Sequence, residues 1–261
     1  GSYNAATKRL DGAAFGVIDM ELSLVANLRE AHETAPLSGA AAKRFGLREG
    51  LPVAGPYIDQ EAGYLSAVSE KMRPVHCSLG TAWVCNYARP DSRALDSPAQ
   101  LVLNSVKGKG QLVVLPLRTG NVAWDWALAT FAGPAPGAAV KKAGAVFGKR
   151  LSPPEGLLAL PHLAQPHFLE PGLFGAGAFF GISPETDGDD LLRAVAAGMV
   201  FELAEALRRP LDKDFADTIV VGGGASKGLY FSRMLAALFP EYPVLRQVEE
   251  DLAVARGAVY A

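Results

Sequence analysis

The run Thr218–Gly228 constrains the chain most. Ile219, Val220 and Val221 form an apolar strand that stops at Gly222, Gly223 and Gly224, and a helix-compatible segment follows at once. Three adjacent residues without a Cβ allow positive φ and let a flat or charged ligand lie against bare peptide. The first amides of a following helix are unpaired and carry partial positive charge, which suits a phosphate or a ribose hydroxyl. A glycine cluster at such a turn also serves tight packing with no ligand, so its meaning depends on what else the chain carries. There is no G-x-x-x-x-G-K-S/T run, which excludes a P-loop, and Gly222–Gly228 lacks the G-x-G-x-x-G spacing of a dinucleotide fold.

Length and charge narrow the classes further. The chain has 261 residues, 49% of them apolar, with a net charge of −2, enough for one large core or one domain plus part of another. Such a balance offers no basic face, so neither nucleic acid nor an anionic membrane is expected as a partner. No apolar run reaches membrane-spanning length and no secretory signal opens the chain. The two cysteines, Cys77 and Cys85, read as reduced thiols of a cytoplasmic protein, and His32, His76, His162 and His167 lack the spacing of a metal site or a triad.

Apolar spacing predicts a helix over 13–30, a short strand at 51–55, and a helix from Asp59 to about Glu70 in which Gln60 and Glu61 are solvated first-turn residues. Val75–Ser78 and Ala82–Tyr87 read as a hairpin closed at Leu79–Gly80–Thr81, with further strands at 101–106 and 111–117 and a helix through Trp124 and Leu128. The three tryptophans, Trp83, Trp124 and Trp126, read as core or interface aromatics. The Gly/Ala/Pro-rich stretch 132–182 reads as a surface excursion with little regular structure. Leu191–Leu207 is the clearest helix; a helix over 229–239, a strand near Val244 and a final helix from about Asp251 follow the glycine turn.

Three places carry chemistry. Asp59 begins a helix after a strand and a Gly-Pro kink; a helix N-terminus favours its ionised form, and a fixed carboxylate can take a proton from an alcohol. A plain helix cap is the alternative. Ser78, Gly80 and Thr81 offer hydroxyls and amides to phosphate oxygens at a tight turn, which an ordinary hairpin tip would also explain. Gly222, Gly223 and Gly224 are the third, with Gly120 as a lesser candidate.

In this order and spacing the motifs resemble the FGGY carbohydrate kinases of the actin/hexokinase/Hsp70 superfamily. Gly50–Val53 through Asp59–Gln60, Ser78–Thr81, Leu160–Leu163 with Pro166, Arg193–Ala194 with Gly198, Phe201 and Leu203, Gly222–Ala225, and Ala255–Ala258 match six family segments over residues 45–261. The resemblance implies a ribonuclease-H-like, actin/hexokinase-type α/β domain with a mixed sheet flanked by helices. It implies ATP with Mg²⁺ as cofactors and a sugar or polyol as substrate. Asp59 would be the general base; Ser78, Gly80 and Thr81 would hold phosphate; Gly120 would approach phosphates or ribose, and Gly222, Gly223, Gly224 and Ala225 would hold adenosine. Residues 1–70 would end a first, sugar-binding domain and 71–261 would form the nucleotide-binding domain. Two departures stand out: Ala236 and Ala237 lie where the family carries an acidic residue, and family members are about twice as long. The chain then looks like the C-terminal half of a kinase, its partner the N-terminal half, inactive by itself. A homo-oligomer stays open, and so does a non-catalytic nucleotide-responsive or scaffolding fragment.

Overall fold

A computed structural model describes residues 3–4, 7, 9–25, 33–55, 57–68, 71–90, 101–104, 110–117, 119–163, 177–212, 214–247 and 252–260. Its centre is a six-stranded sheet of β1 (Pro74–Leu79), β2 (Trp83–Arg89), β3 (Leu101–Asn104), β4 (Gln111–Leu117), β5 (Thr218–Gly222) and β6 (Val244–Arg246), in the order β6-β5-β1-β2-β4-β3. Strands β1, β2, β4 and β3 pair antiparallel in that order, with β3 at the edge, and β5 lies parallel to both β1 and β6. The sheet is therefore mixed, as expected.

Two-residue alternation sorts each strand into two faces. Val75, Cys77, Leu79, Trp83, Cys85, Val113, Leu115, Ile219 and Val221 point into one large core. Helices α2 (Gly120–Ala127), α4 (Gly188–Asp212) and α5 (Leu229–Leu238) close that core. In α4, Leu192, Val195, Met199, Leu203 and Leu207 repeat at helical spacing and are essentially inaccessible to solvent. On the other face Tyr64 packs with Val84, Leu112 and Val114. Tyr64 belongs to α1 (Asp59–Ala67), which lies against α6 (Ala253–Tyr260) so tightly that a Cβ on Gly257 would stand 1.6 Å from Ala62 O.

Other residues of the resemblance also have packing roles. A Cβ on Gly198 of α4 would meet Ala159 O at 2.3 Å, so this glycine seats the helix on the Leu158–Leu160 strand. Buried Arg193 donates to the carbonyls of Val146 (3.2 Å) and Arg150 (3.2 Å) and pairs with Asp190 at 2.9 Å. It thereby ties α4 to the C-terminal end of a preceding helix, adding a second bond to the Val146 carbonyl that Arg150 N already reaches.

That helix corrects one expectation. Within 132–182 the chain forms α3 (Pro136–Lys149), which buries Ala139, Ala143, Val146 and Phe147, and a small antiparallel pair of Leu158–Leu160 with Ala178–Phe180. Proline at the first helical position and Lys149 in the last turn support α3 locally. The excursion read at Glu170–Gly177 lies outside the described residues except for Gly177. The helix expected over 13–30 is broken in its described part: Gly12–Val17 is helical, Leu22–Leu24 forms a 3₁₀ turn, and Asp19 has φ +50°, while 26–30 lie outside the described residues. Among the described residues of its apolar stripe Phe15 alone is buried, while Ile18 and Leu22 stay exposed, and a stripe with nothing to pack on does not hold a long helix. Among the described residues no helix is long and apolar enough to cross a membrane.

Candidate nucleotide-binding site

Hairpin and glycine turn meet at one end of the sheet. Gly222 is the register neighbour of Ser78 across the parallel β5–β1 pair. Gly223 follows with φ +88°, and a Cβ there would lie 2.7 Å from both the backbone N and C of Leu79. No other residue type satisfies both conditions, so the glycine turn sits directly on the hairpin. The hairpin itself reverses over Gly80–Ala82, with Leu79 opposite Trp83.

Helix α2 closes the same corner. A Cβ on Gly120 would stand 2.2 Å from Thr81 O, and Asn121 N donates to that carbonyl at 3.0 Å. Asn121 Oδ1 in turn accepts from Trp83 Nε1 at 3.1 Å, which ties helix start and hairpin together. Hairpin packing thus already requires glycine at 120. Behind this corner Thr119 donates its hydroxyl proton to buried Glu202, whose carboxyl is pushed up to about 7 by burial.

Gly224 and Ala225 open onto a groove of about 610 Å³ between α2, α3 and the start of α5. Its wall is aromatic: Tyr230 stacks on Phe147 at 4.5 Å and meets Trp124 at 5.5 Å. Lys227 and Arg233 bring two cations to the lining, and Asp125 one carboxylate. The volume lies in the range of small-molecule sites, about 300–1,000 Å³.

Glycines around this groove differ in kind from Gly223. A Cβ at Gly224, Gly144 or Gly148 would meet nothing within 4 Å, and all three line the groove. Gly144 and Gly148 sit inside α3, where each costs about 1 kcal/mol against alanine. No contact within the protein calls for them, and their bare sides leave room for a ligand.

Asp59 lies on the other face of the sheet. It is the first residue of α1; its carboxylate accepts from Gln60 N at 2.8 Å and is exposed. Its neighbours are not the solvated pair the sequence suggests. Gln60 is half-buried and accepts from Asn86 Nδ2 at 3.1 Å, and Glu61 is buried. Asn86 stands opposite His76, two residues before Ser78.

Ser78, Gly80, Thr81, Gly120, Gly222 and Gly223 therefore meet at one corner, with Gly224 and Ala225 next along the chain, while Asp59 joins them only through its helix. Sequence reading missed Phe147, Gly144, Gly148, Tyr230 and Asn121. The spacing Ala139, Ala143, Val146, Phe147 was the available signal for α3. Ala236, where an acidic residue was expected, is exposed on α5.

No protein-family model matches the chain. No curated protein matches it either. Solved structures do. A xylulose kinase from Rhodospirillum rubrum superposes with a TM-score of 0.81 at 18% identity, over 100% of this chain and 52% of that one. A xyloylose kinase from Brucella ovis gives 0.83 at 21% identity, over 97% and 52%. A Plasmodium falciparum glycerol kinase with ADP gives 0.79 at 13% identity, over 100% and 52%. This chain thus spans about half the length of each. It has the actin-like ATPase fold of the sugar kinases, over a stretch consistent with the C-terminal half of such an enzyme.

Proposed function

We propose that the chain is the nucleotide-holding half of an ATP-dependent kinase acting on a sugar or polyol hydroxyl. The observation that carries this reading is the convergence of hairpin turn and glycine turn beside an aromatic groove in which Gly144, Gly148 and Gly224 have open space at their Cβ positions. Amides and hydroxyls around Ser78, Gly80, Thr81 and Gly222–Gly224 hold the phosphates, and the base lies along Trp124, Phe147 and Tyr230 beside Ala225. In the reaction the acceptor oxygen bonds to the γ-phosphorus, the bond to the β-phosphate oxygen breaks, ADP leaves, and Asp59 takes the hydroxyl proton. Protein work in such a transfer is mostly positioning and charge compensation, for which two turns and one carboxylate are suitable parts.

Among the described residues no three His, Cys, Asp or Glu side chains are grouped to hold a metal ion. Mg²⁺ in this reading comes with the nucleotide's phosphates. Residues 1–70 act as the end of a first domain. In support, Val17, Ile18, Leu24, Phe45 and Leu47 are all more than half exposed, a surface that the other half of a cleft would cover.

Titration with Mg-ADP and NAD⁺ tests the reading. Preference for ADP supports it; binding of neither supports a scaffolding fragment. This chain by itself should show little or no sugar phosphorylation in a coupled assay, and ordinary kinase turnover would remove the need for a second half. Combined with a polypeptide that completes the cleft, Asp59→Asn should lower kcat by about 10²–10⁴-fold and leave ADP affinity intact.

A further inference from the structure

A buried chain of hydrogen bonds runs between α1 and the strands that carry the two turns. Ser66 Oγ donates to Gly63 O at 2.7 Å within α1. Gln247 Nε2 donates to Ser66 Oγ, and Gln247 Oε1 faces His76 Nε2 at 3.3 Å. The backbone N of Gln247 donates to Val221 O at 2.8 Å, and a Cβ on Gly222 would stand 2.5 Å from Gln247 Oε1. His76, on β1, and Gln247 are both more than nine-tenths buried.

The direction of every proton in this relay follows from its first member. Ser66 has one hydroxyl proton, committed to Gly63 O, so its oxygen must accept. Gln247 therefore turns its NH₂ to Ser66 and its oxygen to His76, and His76 must be the Nε2–H tautomer. A flipped amide would place two acceptors face to face. With the Ser66 hydroxyl on Gly63 O, this one arrangement links α1, β1 and β5.

We propose that Gln247 and His76 are positioning residues that fix the helix bearing Asp59 relative to the Gly222 turn. This inference rests on the kinase reading above. Packing joins α1 to the sheet through Tyr64 near β2 and β4 and through Gly63 beside the His76 ring, and its tightest contact is against α6; the relay adds direction to that packing. A buried, fully directional relay tolerates one spacing, whereas apolar packing tolerates small slides. Catalysis is sensitive at that scale, since misplacing a group by about 1 Å can cost on the order of 10²-fold.

Hydrogen exchange of this chain, with and without Mg-ADP, tests the idea on four proteins: wild type, Gln247→Leu, His76→Gln and His76→Asn. Glutamine carries a donor near the place of Nε2, whereas asparagine places it near Nδ1. We expect Mg-ADP to slow exchange about tenfold at both 222–226 and 60–67 in wild type and His76→Gln. In Gln247→Leu and His76→Asn, ADP should still bind within about threefold of wild type, with the slowing confined to 222–226. Persistence of slowing at 60–67 in those two variants overturns the relay, as does its absence in an ADP-binding wild type. Identical behaviour of His76→Gln and His76→Asn overturns it too, and that pair decides the matter if Gln247→Leu does not fold. Failure of wild type to bind ADP overturns the kinase reading itself and takes the inference with it.

Discussion

On one face of the sheet Val75, Cys77, Leu79, Trp83, Cys85 and Leu115 are fully buried against helices. On the other face His76 and Asn86, which alternate with them along β1 and β2, are almost as inaccessible but polar. Apolar contacts add up without regard to direction, so the first face supplies stability and sets where the turns sit. Hydrogen bonds hold one geometry or none, so His76 and Asn86 contribute little net stability and much register beside the apolar cluster of Tyr64, Val84, Leu112 and Val114 on that face. The same two strands thus separate holding the fold from aiming a helix.

Truncation should expose that contrast. Phe231 is fully buried and meets Trp83 and Trp124 edge-on, each at 5.1 Å. Phe231→Ala should cost about 3–5 kcal/mol in urea unfolding. Asn86→Ala on the other face removes one bond, to Gln60, and should cost about 1–2 kcal/mol. Equal costs for the two would erase the distinction between the faces.

Titration provides a second and smaller test, because Glu202 on the core side and His76 on the other face shift in opposite senses. Burial pushes Glu202, on the core-side helix α4, up to about 7 from 4.5, with a smaller push from the charge of Glu205. Native protein then keeps a proton that the unfolded chain releases. Its stabilisation is present below pH 4.5 and is lost as pH rises to about 7. Burial pushes His76 down to about 4 from 6.5, against the opposing bond to Gln247. Here the unfolded chain takes up a proton that the native protein refuses, so stability is full above pH 6.5 and falls as pH drops to about 4. Each slope amounts to about 3 kcal/mol, and between pH 4.5 and 6.5 they oppose one another. Glu202→Gln should leave a protein that weakens steadily on acidification below pH 6.5. His76→Gln should leave one that strengthens on acidification from pH 7 to 4.5. Urea midpoints across this range check both, and two flat profiles would refute the assignment.

Legibility in the sequence followed locality. The glycine turn, the hairpin and α4 declare themselves within a dozen or so residues: a strand ending in Gly222–Gly224, small residues at Gly80–Thr81, and leucines at helical spacing. Helix α3 hid because its buried positions include Ala139 and Ala143 in a background of glycine and proline, where alanine reads as filler. The stripe Ile18–Leu22 misled in the opposite sense, since periodicity reports a face that could be buried and not whether anything buries it. Gln60 and Glu61 were read as solvated because a first-turn position gives no hint of a sheet beneath it. The Gln247 relay lay beyond sequence reading altogether. Its members are 171 and 181 residues apart, and a lone glutamine or histidine carries no mark of its partner.

The smallest expected effect gives the cleanest reading of the groove. Gly144 and Gly148 sit one turn apart on α3 with open space at their Cβ positions, so alanine fits at either without displacing protein. If nothing bound there, Gly144→Ala and Gly148→Ala would only gain, since alanine restricts the unfolded chain and favours helix by about 0.5–1 kcal/mol each. A groove that accepts a nucleotide base turns the same methyls into obstacles. Both variants should therefore melt higher than wild type while binding Mg-ADP about three- to tenfold more weakly, a loss below about 1.4 kcal/mol. Stabilisation and weakened binding must appear together, because one methyl causes both. Higher melting with unchanged ADP affinity would place the base elsewhere, and lower melting would mean that α3 needs those glycines for packing the structure does not show.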